Sequence, residues 1–126
     1  MATTVEKIMA SPVVTTTLDS TTGYVRELME RKHVSAIPIV ALEDETINLL
    51  GIVTNRDLRG VKDESTDVEF IMSRRIKSVS KETTLREAAR KMIESEMHHL
   101  VVIEKEKVVG IISSMDFVKA VADGMI

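Results

Sequence analysis

The stretch GIVTNRDL at residues 51–58 decides the fold, because the chain repeats it 59 residues later as GIISSMDF at residues 110–117. A second pair, VEKIM at 5–9 and VEFIM at 68–72, is 63 residues apart. We assign the difference between these two spacings to a turn that is shorter in the second copy. Glu43-Asp44-Glu45 in the first copy is replaced there by Glu104-Lys105-Glu106. A period near 60 is too long for a solenoid and two copies are too few for an array. The pattern predicts two related domains, residues 1–63 and 64–126, each too small to bury a good core alone.

The composition limits the classes of protein to consider. The chain has 126 residues, 44% of them hydrophobic, with a net charge of −3 and no cysteine. Disulfides, thiolate nucleophiles and cysteine metal sites are thereby excluded, and a cytoplasmic location is the expectation. The weak negative charge and an aromatic content of only 2% argue against nucleic-acid binding. The longest apolar runs have about five residues and the N-terminus lacks a signal-peptide pattern, so we expect no membrane association.

Each copy has the pattern of a short helix, a strand, a helix, two strands and a helix. In the first copy we predict a short helix over 5–9, an extended segment over 13–16 and a helix over 22–32. Apolar strands follow at 36–40 and 49–53, and a helix begins near Asn55 and fades around Val61. We therefore predict an α+β fold class, with tandem βαββα repeats related by a pseudo-two-fold axis.

The second copy gives a cleaner pattern. Its first long helix starts with a capping box at Thr84–Glu87, and we expect an apolar stripe of Leu85, Ala88, Ala89, Met92 and Ile93. Strands at 100–103 and 108–112 are joined by a tight charged turn, and we expect the last helix, 114–122, to bury Phe117, Val118 and Val121. The polar segment 61–67 separates the copies and is short enough to join two packed units.

The four residues Thr54-Asn55-Arg56-Asp57 lie where a strand runs into a helix, and they suit a phosphorylated sugar. Backbone N–H groups at a helix start favour an anion, and Arg56 supplies a charged donor fork for phosphate. A carboxylate at Asp57 can accept hydrogen bonds from two vicinal hydroxyls. Thr-x-x-Asp is also close to a capping box, which would stabilise the helix with no ligand. Both interpretations apply again to Ser113-Ser114-Met115-Asp116.

The two copies of this motif are not equal. Met115 replaces Arg56, so a phosphate beside Asp116 needs another cation, for which Arg74, Arg75 and Lys77 are candidates. The alternative is that these three residues form a solvated basic edge. His98 and His99 are adjacent, and neighbours on a strand point to opposite faces, so we expect no metal site. Two alternatives remain open: one of the two histidines lines a ligand site, or both lie at the surface.

These motifs together resemble the CBS domain pair, also called a Bateman module. The resemblance covers residues 5–60 and 68–123 and consists of Met-x-x-x-hydrophobic, the strand Ile37-Pro38-Ile39, and Gly-hydrophobic-hydrophobic-Thr/Ser-x-x-Asp. GIVTNRDLR is similar to the regulatory module of IMP dehydrogenase. The barrel that carries the chemistry of that enzyme is absent, so we expect no enzyme activity.

The resemblance implies a regulatory function. Members of the family bind adenosyl ligands, namely AMP, ADP, ATP or S-adenosylmethionine, in two clefts between the repeats, and an attached or separate protein senses the resulting change of angle. It implies a nucleotide ligand such as AMP or ATP, no resident cofactor, a homodimer, and an effector protein acting in trans. The Met-rich helical faces that bear Met29 and Met92 are the expected contact surfaces of the homodimer.

The resemblance also implies roles for particular residues. Asp57 and Asp116 would bind ribose, and the phosphate would contact Thr54, Asn55, Arg56, Ser113, Ser114 and Arg75. The adenine slot would be formed by Val13, Val14, Ser35, Ala36, Ile37, Pro38, Ile76, Ser78, His98, His99 and Leu100. Val101 stands where the family has the proline found at Pro38, which departs from the pattern. The alternative to a ligand sensor is a structural dimerisation module with vestigial, non-binding clefts.

Overall fold

The computed structural model describes residues 2–43 and 46–126, with only the backbone of Thr46. The middle of the predicted acidic turn, Asp44 and Glu45, lies outside the described residues. The chain forms two compact units, which we name by their position in the sequence. The central unit is Val14–Ile76, and the terminal unit combines Met1–Val13 with Lys77–Ile126.

The central unit contains two helices and an antiparallel pair of strands. Helix α1 (Thr22–Lys32) precedes strands β1 (Ala36–Glu43) and β2 (Thr46–Thr54), and helix α2 (Asn55–Leu58) follows. Thr16 adds a parallel bridge to Ile39, on the β1 side of the pair. The core includes Val25, Met29, Ile37, Val53 and Val68.

The terminal unit repeats this arrangement. Strand β3 (Ser78–Val79) lies parallel to β4 (His99–Glu104), which pairs antiparallel with β5 (Lys107–Ser113). Helix α3 (Leu85–Ser95) lies between β3 and β4 in the sequence, and helix α4 (Ser114–Ala122) follows β5. The register shift at Val102/Ile103 matches the one at Ile39/Val40, so even the irregularity is repeated. The predicted α+β class with a βαββα order is confirmed.

The compact units do not coincide with the sequence repeats. The first opening segment, with a short 3-10 helix over Val5–Lys7, packs its Val5 into the core of the terminal unit. The second opening segment, with a 3-10 helix over Val68–Phe70, packs Val68 into the core of the central unit. Each repeat therefore gives its opening segment to the other repeat, and the boundaries 1–63 and 64–126 describe the repeated sequence but not the two cores.

Backbone pairing explains this exchange. Ser73 bridges antiparallel to Ile52 on β2, with both hydrogen bonds at 2.9 Å. Ala10 bridges Ile111 on β5 in the same way, with bonds of 2.9 and 3.3 Å. The polar segment predicted to separate the copies also belongs to the central unit, because Thr66 and Glu64 carbonyls accept from the first two N–H groups of α1.

Two expectations about the last helices were wrong. Helix α2 ends at Leu58 and does not continue towards Val61, because Arg59 is extended and Gly60 has a φ of +82°. In α4, Val118 and Val121 are 57% and 60% exposed. Ala120 is the fully buried residue of this helix, and Phe117 is half-buried. The stripe of α4 that packs on the terminal unit passes through Ala120, so Val118 and Val121 remain on the side that faces solvent.

Ile93 on α3 was also expected to face the core and does not. Its side chain is 76% exposed, whereas Leu85, Ala88 and Met92 are buried. A helix packed on a single sheet buries a stripe only about 100° wide, and Ile93 lies outside that stripe.

The glycine that opens each repeated motif is required by the paired opening segment. A Cβ at Gly51 would lie 2.6 Å from Met72 Sδ and 2.8 Å from the Ser73 carbonyl oxygen. A Cβ at Gly110 would lie 2.5 Å from Met9 Sδ but 3.1 Å from the Ala10 carbonyl oxygen. Rotation of the flexible methionine side chain can relieve each short contact with sulfur. The contact of a Cβ at Gly51 with the Ser73 carbonyl cannot be relieved in this way, because it involves backbone.

We therefore predict that Gly51→Ala destabilises the protein more than Gly110→Ala. The first substitution should lower the free energy of unfolding by about 1–3 kcal/mol, as overpacking against fixed backbone does. The second should cost less, because Ala10 needs to move by only a few tenths of an ångström. Urea unfolding of the full chain measures both values, and an equal or larger loss for Gly110→Ala would contradict this explanation.

Candidate functional site

Two matched junctions between a strand and a helix form the candidate sites. Thr54 ends β2 and caps α2, and Asp57 Oδ2 accepts the Thr54 N–H at 2.9 Å while the Asp57 N–H donates back to Thr54 Oγ1 at 3.4 Å. Ser113 ends β5 and caps α4, with Asp116 Oδ2 accepting the Ser113 N–H at 2.8 Å and the return bond at 3.3 Å. The capping-box interpretation of the sequence motif is confirmed at both junctions.

The junctions are held against the segment that precedes the neighbouring strand. The Asn55 N–H donates to the Ser35 carbonyl at 3.0 Å, and the Ser114 N–H donates to the His98 carbonyl at 2.9 Å. Residues 35–38 and 54–57 are thus brought together in the central unit, and residues 98–100 and 113–116 in the terminal unit. These segments carry residues predicted to contact adenine and phosphate, and that assignment stays a prediction.

The predicted adenine residues differ in how much of their side chain is accessible. Ile37 and Leu100 are fully buried in the cores, and Ala36 and Pro38 are buried as well, so these residues form the floor under any slot. Ser35, Ile76, Ser78 and His99 are half-buried and His98 is exposed. Val13 and Val14 are half-buried and fall in different units, because the boundary passes between them.

The cations are distributed unequally. Arg56 is exposed beside the half-buried Asp57, and Met115 takes its place beside Asp116, with 57% of its side chain exposed. Arg75, which we considered as a cation for the second motif, belongs to the central unit together with Arg56. The Ser73 hydroxyl accepts the Arg75 N–H at 3.2 Å, which fixes the backbone of this segment.

The structure offers no metal-binding cluster within residues 2–43 and 46–126. No group of three or more histidine and carboxylate side chains in this part of the chain is arranged to hold an ion. Likewise, none of the helices in the described part is both long enough and apolar enough to cross a membrane.

The terminal unit contains an open groove of about 560 Å³ between α3 and α4. Five of its lining residues are apolar and three are polar: Ala89, Met92, Ile93, Met97 and Phe117, with Glu96, His98 and Ser114. The predicted site residues include His98 and Ser114 of this lining, whereas Ala89, Met92, Ile93 and Phe117 were predicted as members of apolar helix faces. The sequence did contain a signal for this groove, because α4 has more apolar residues than one buried stripe can hold.

A tandem pair of βαββα repeats, each with one capped strand–helix junction, defines the class of protein by its fold. Comparison with known families supports this class: the chain belongs to the CBS domain family, whose model matches residues 5–64 and 66–123.

Among curated relatives, inosine-5′-monophosphate dehydrogenase of Methanocaldococcus jannaschii is 27% identical over 115 residues. This alignment covers 90% of the chain but only 23% of that enzyme. The chain therefore spans less than a quarter of the length of this relative.

Two solved structures have the same fold. A conserved protein from Pyrococcus horikoshii has a TM-score of 0.82 and 25% identity, with 96% of this chain and 93% of that chain covered. The CBS domain pair of protein MJ0100 has a TM-score of 0.86 and 21% identity, with coverage of 98% and 99%. That pair was crystallised with 5′-methylthioadenosine and S-adenosyl-L-methionine.

The capping boxes should contribute to stability whether or not a ligand binds. Asp57→Ala and Asp116→Ala remove the carboxylate that accepts the Thr54 or Ser113 N–H, and each should lower the free energy of unfolding by about 1 kcal/mol. Asp123→Ala is the control, because Asp123 is exposed and follows α4 at its carboxyl end. Urea titrations in which both capping variants match the wild type would show that these boxes are energetically unimportant.

Proposed function

We propose that the chain is a regulatory module that binds adenosyl ligands at its two strand–helix junctions and transmits their occupancy to a partner protein. The observation that carries this proposal is the repetition of one geometry, in which a carboxylate one turn into a helix is fixed beside the opening of the adjacent strand. A member of the same family that holds two adenosyl compounds supports the choice of ligand class. AMP or ATP is the ligand to test first.

Asp57 and Asp116 have room to accept ribose hydroxyls in spite of their capping role. A carboxylate offers about four lone-pair positions on its two oxygens. The capping boxes use Oδ2 of each residue, so Oδ1 is the oxygen that the boxes leave for the 2′ and 3′ hydroxyls. The capping bonds also fix the orientation of the carboxylate before a ligand arrives, which lowers the entropy cost of binding.

The phosphate group would be bound mainly by Arg56 in the central unit. Thr54 and Asn55 would assist there, and Arg75 belongs to the same unit, whereas Ser113 and Ser114 remain the candidates for the second site. Because Met115 carries no charge, we assign the tighter phosphate site to the junction at Thr54–Asp57. The adenine ring would contact the accessible residues before β1 and β4, above the buried floor residues.

A structural dimerisation module with non-binding sites is the second candidate. It is favoured by Met115 in place of Arg56 and by Val101 in place of a proline. The exposed apolar side chains of the terminal unit, such as Ile93, Val118 and Val121, also favour it. Isothermal titration calorimetry with AMP, ATP and S-adenosylmethionine separates the two candidates. Heat of binding at stoichiometric concentrations supports the sensor, and no heat with any of the three supports the scaffold.

The remaining parts of the proposal concern the context of the module. We assign no catalytic activity to the chain, because it matches only the CBS-containing part of the dehydrogenase relative. A cytoplasmic location, a homodimeric state and an effector protein acting in trans complete the proposal.

The ribose assignment is tested by removing either the Asp57 carboxylate from the protein or the 2′ and 3′ hydroxyls from the ligand. If Asp57 accepts from both hydroxyls, Asp57→Ala should weaken AMP binding by about 1–3 kcal/mol, and the 2′,3′-dideoxy analogue should lose a similar amount with the wild type. The two losses should not add, because both remove one contact. Asp116→Ala should have a smaller effect. Equal affinity of the wild type for AMP and its dideoxy analogue would refute the assignment.

The phosphate assignment is tested with Arg56→Ala. Its affinity for AMP should fall by about 1–3 kcal/mol, as for a lost hydrogen bond to a charged group, while adenosine binding changes little. Arg59→Ala is a matched control, since Arg59 is also exposed and lies three residues further on. An equal loss for AMP and adenosine, or the same AMP-selective loss in the control, would remove Arg56 from the site.

A further inference from the structure

The β1–β2 hairpin of the central unit is longer than its counterpart in the terminal unit. Beyond the register shift that the two hairpins share, β1 and β2 form four residue pairs, whereas β4 and β5 form two. The two additional pairs are Leu42 with Ile47 and Glu43 with Thr46. This extension is therefore a property of one unit and not of the repeated fold.

The extension places large apolar side chains in water. Leu42 is 71% exposed, and Ile47, directly opposite on β2, is 43% exposed. On the same face of β1, Pro38 is buried and Val40 is half-buried, so Leu42 continues a buried apolar row out to the end of the hairpin. Contiguous apolar surface of this kind marks an interaction site.

The outer edge of β1 is open beside this pair. The Thr16 N–H donates to the Pro38 carbonyl at 3.2 Å, and the Val40 N–H donates to the Thr16 carbonyl at 2.9 Å. Because outward backbone groups recur at every second residue of an antiparallel strand, the Val40 carbonyl and the Leu42 N–H point outward too. In the described part of the chain, Thr16 is the one residue that bridges to this edge. The edge can therefore accept another strand from Val40 onwards.

The two faces of this edge differ in chemistry. Val40 and Leu42 lie on one face and Glu43 lies on the other, because neighbouring residues of a strand point to opposite faces. Glu43 is exposed, and Asp44 and Glu45 follow it in the sequence and add two negative charges. A strand added here would meet apolar side chains on one face and anions on the other. A segment in which apolar and basic residues alternate satisfies both faces.

We propose that the effector protein contacts the module through this hairpin, by adding an extended segment of alternating apolar and basic residues to the outer edge of β1 over Val40–Glu43. Hydrogen bonds to the Val40 carbonyl and the Leu42 N–H supply affinity, and the side chains over Leu42 and beside Glu43 supply specificity. A second copy of the chain is a poorer occupant, because its own acidic hairpin end would be repelled. This inference rests on the effector of the proposed function and assigns it a contact surface.

The hairpin end is remote from the junction that the same two strands carry. Ala36 pairs with Thr54 at the junction, and Glu43 pairs with Thr46 seven positions further along β1, from 36 to 43. At about 3.3 Å per residue the two ends lie roughly 20 Å apart. Substitutions at the hairpin end should therefore leave ligand binding at the junction unchanged, so the two binding events can be measured separately.

The test uses a fluorescein-labelled synthetic heptapeptide in which lysine and valine alternate. Fluorescence anisotropy should show saturable binding to the full chain. Leu42→Ala should raise the Kd about fivefold or more, as truncation of an interface anchor does. Leu42→Pro also removes the outward N–H, a change that edge strands tolerate, and should raise the Kd further. Glu43→Lys should reverse the preference, so that this variant binds a peptide with glutamate in place of lysine.

Phe70→Ala and Glu69→Lys are the matched controls, because both residues are exposed in the same unit but lie outside the hairpin. Both variants should bind the peptide with the Kd of the wild type. A peptide of the same composition in non-alternating order controls for charge attraction alone and should bind more weakly. Circular dichroism checks that each variant is folded, and AMP titrations of the same samples report on the junction.

The proposal is overturned if the wild type shows no saturable binding of the alternating peptide, or if Leu42→Ala and Glu43→Lys leave that binding intact. Equal affinity for the non-alternating peptide also overturns it. If Leu42→Pro lowers the sedimentation coefficient of the protein alone, the hairpin pairs with a second copy and the assigned occupant is wrong. A wild type that binds AMP but not the peptide refutes the hairpin contact, whereas one that binds the peptide but not AMP refutes the ligand.

Discussion

Each unit depends on the close approach of an opening segment to a glycine on its last strand. The absence of a side chain at Gly51 lets the Ser73 carbonyl pair with Ile52, and this pairing sets Val68 and Met72 into the core around α1 and β1. Gly110 plays the same part for Met9 and Val5. The strand that carries the glycine ends directly at the capped junction, so the contact that completes each core also positions the candidate site.

Most of the local structure could be predicted from the sequence, because the signals are local. The helix starts at Thr21 and Thr84, the apolar strands and the Thr/Ser-x-x-Asp capping boxes all depend on residues a few positions apart. The exchange of opening segments could not be predicted. Val5 and Val68 occupy the same place in the repeated pattern, and periodicity tells which side chain is buried but not which copy buries it. The exposure of Val118 was missed because α4 is apolar on more than one side.

The differences between the two copies fall on the same short stretch in each. Replacing Arg56, Arg59 and Lys62 by Met115, Val118 and Val121 removes three positive charges from the surface that follows the junction. One set of changes therefore removes the cation beside Asp116 and leaves three exposed apolar side chains on α4. Under the proposed function, the central junction is accordingly the one that offers a cation to a phosphorylated ligand.

His98 and Ser114 belong to the terminal junction and also line the groove between α3 and α4. The Ser114 N–H donates a hydrogen bond to the His98 carbonyl, so a shift of either residue would also change the wall of that groove. Coupling between two binding events is reciprocal, and a ligand that favours the dimer is bound more tightly by the dimer by the same factor. Under the proposed function, a ligand at this junction would act on the groove through the residues that the two share, with no separate transmission element.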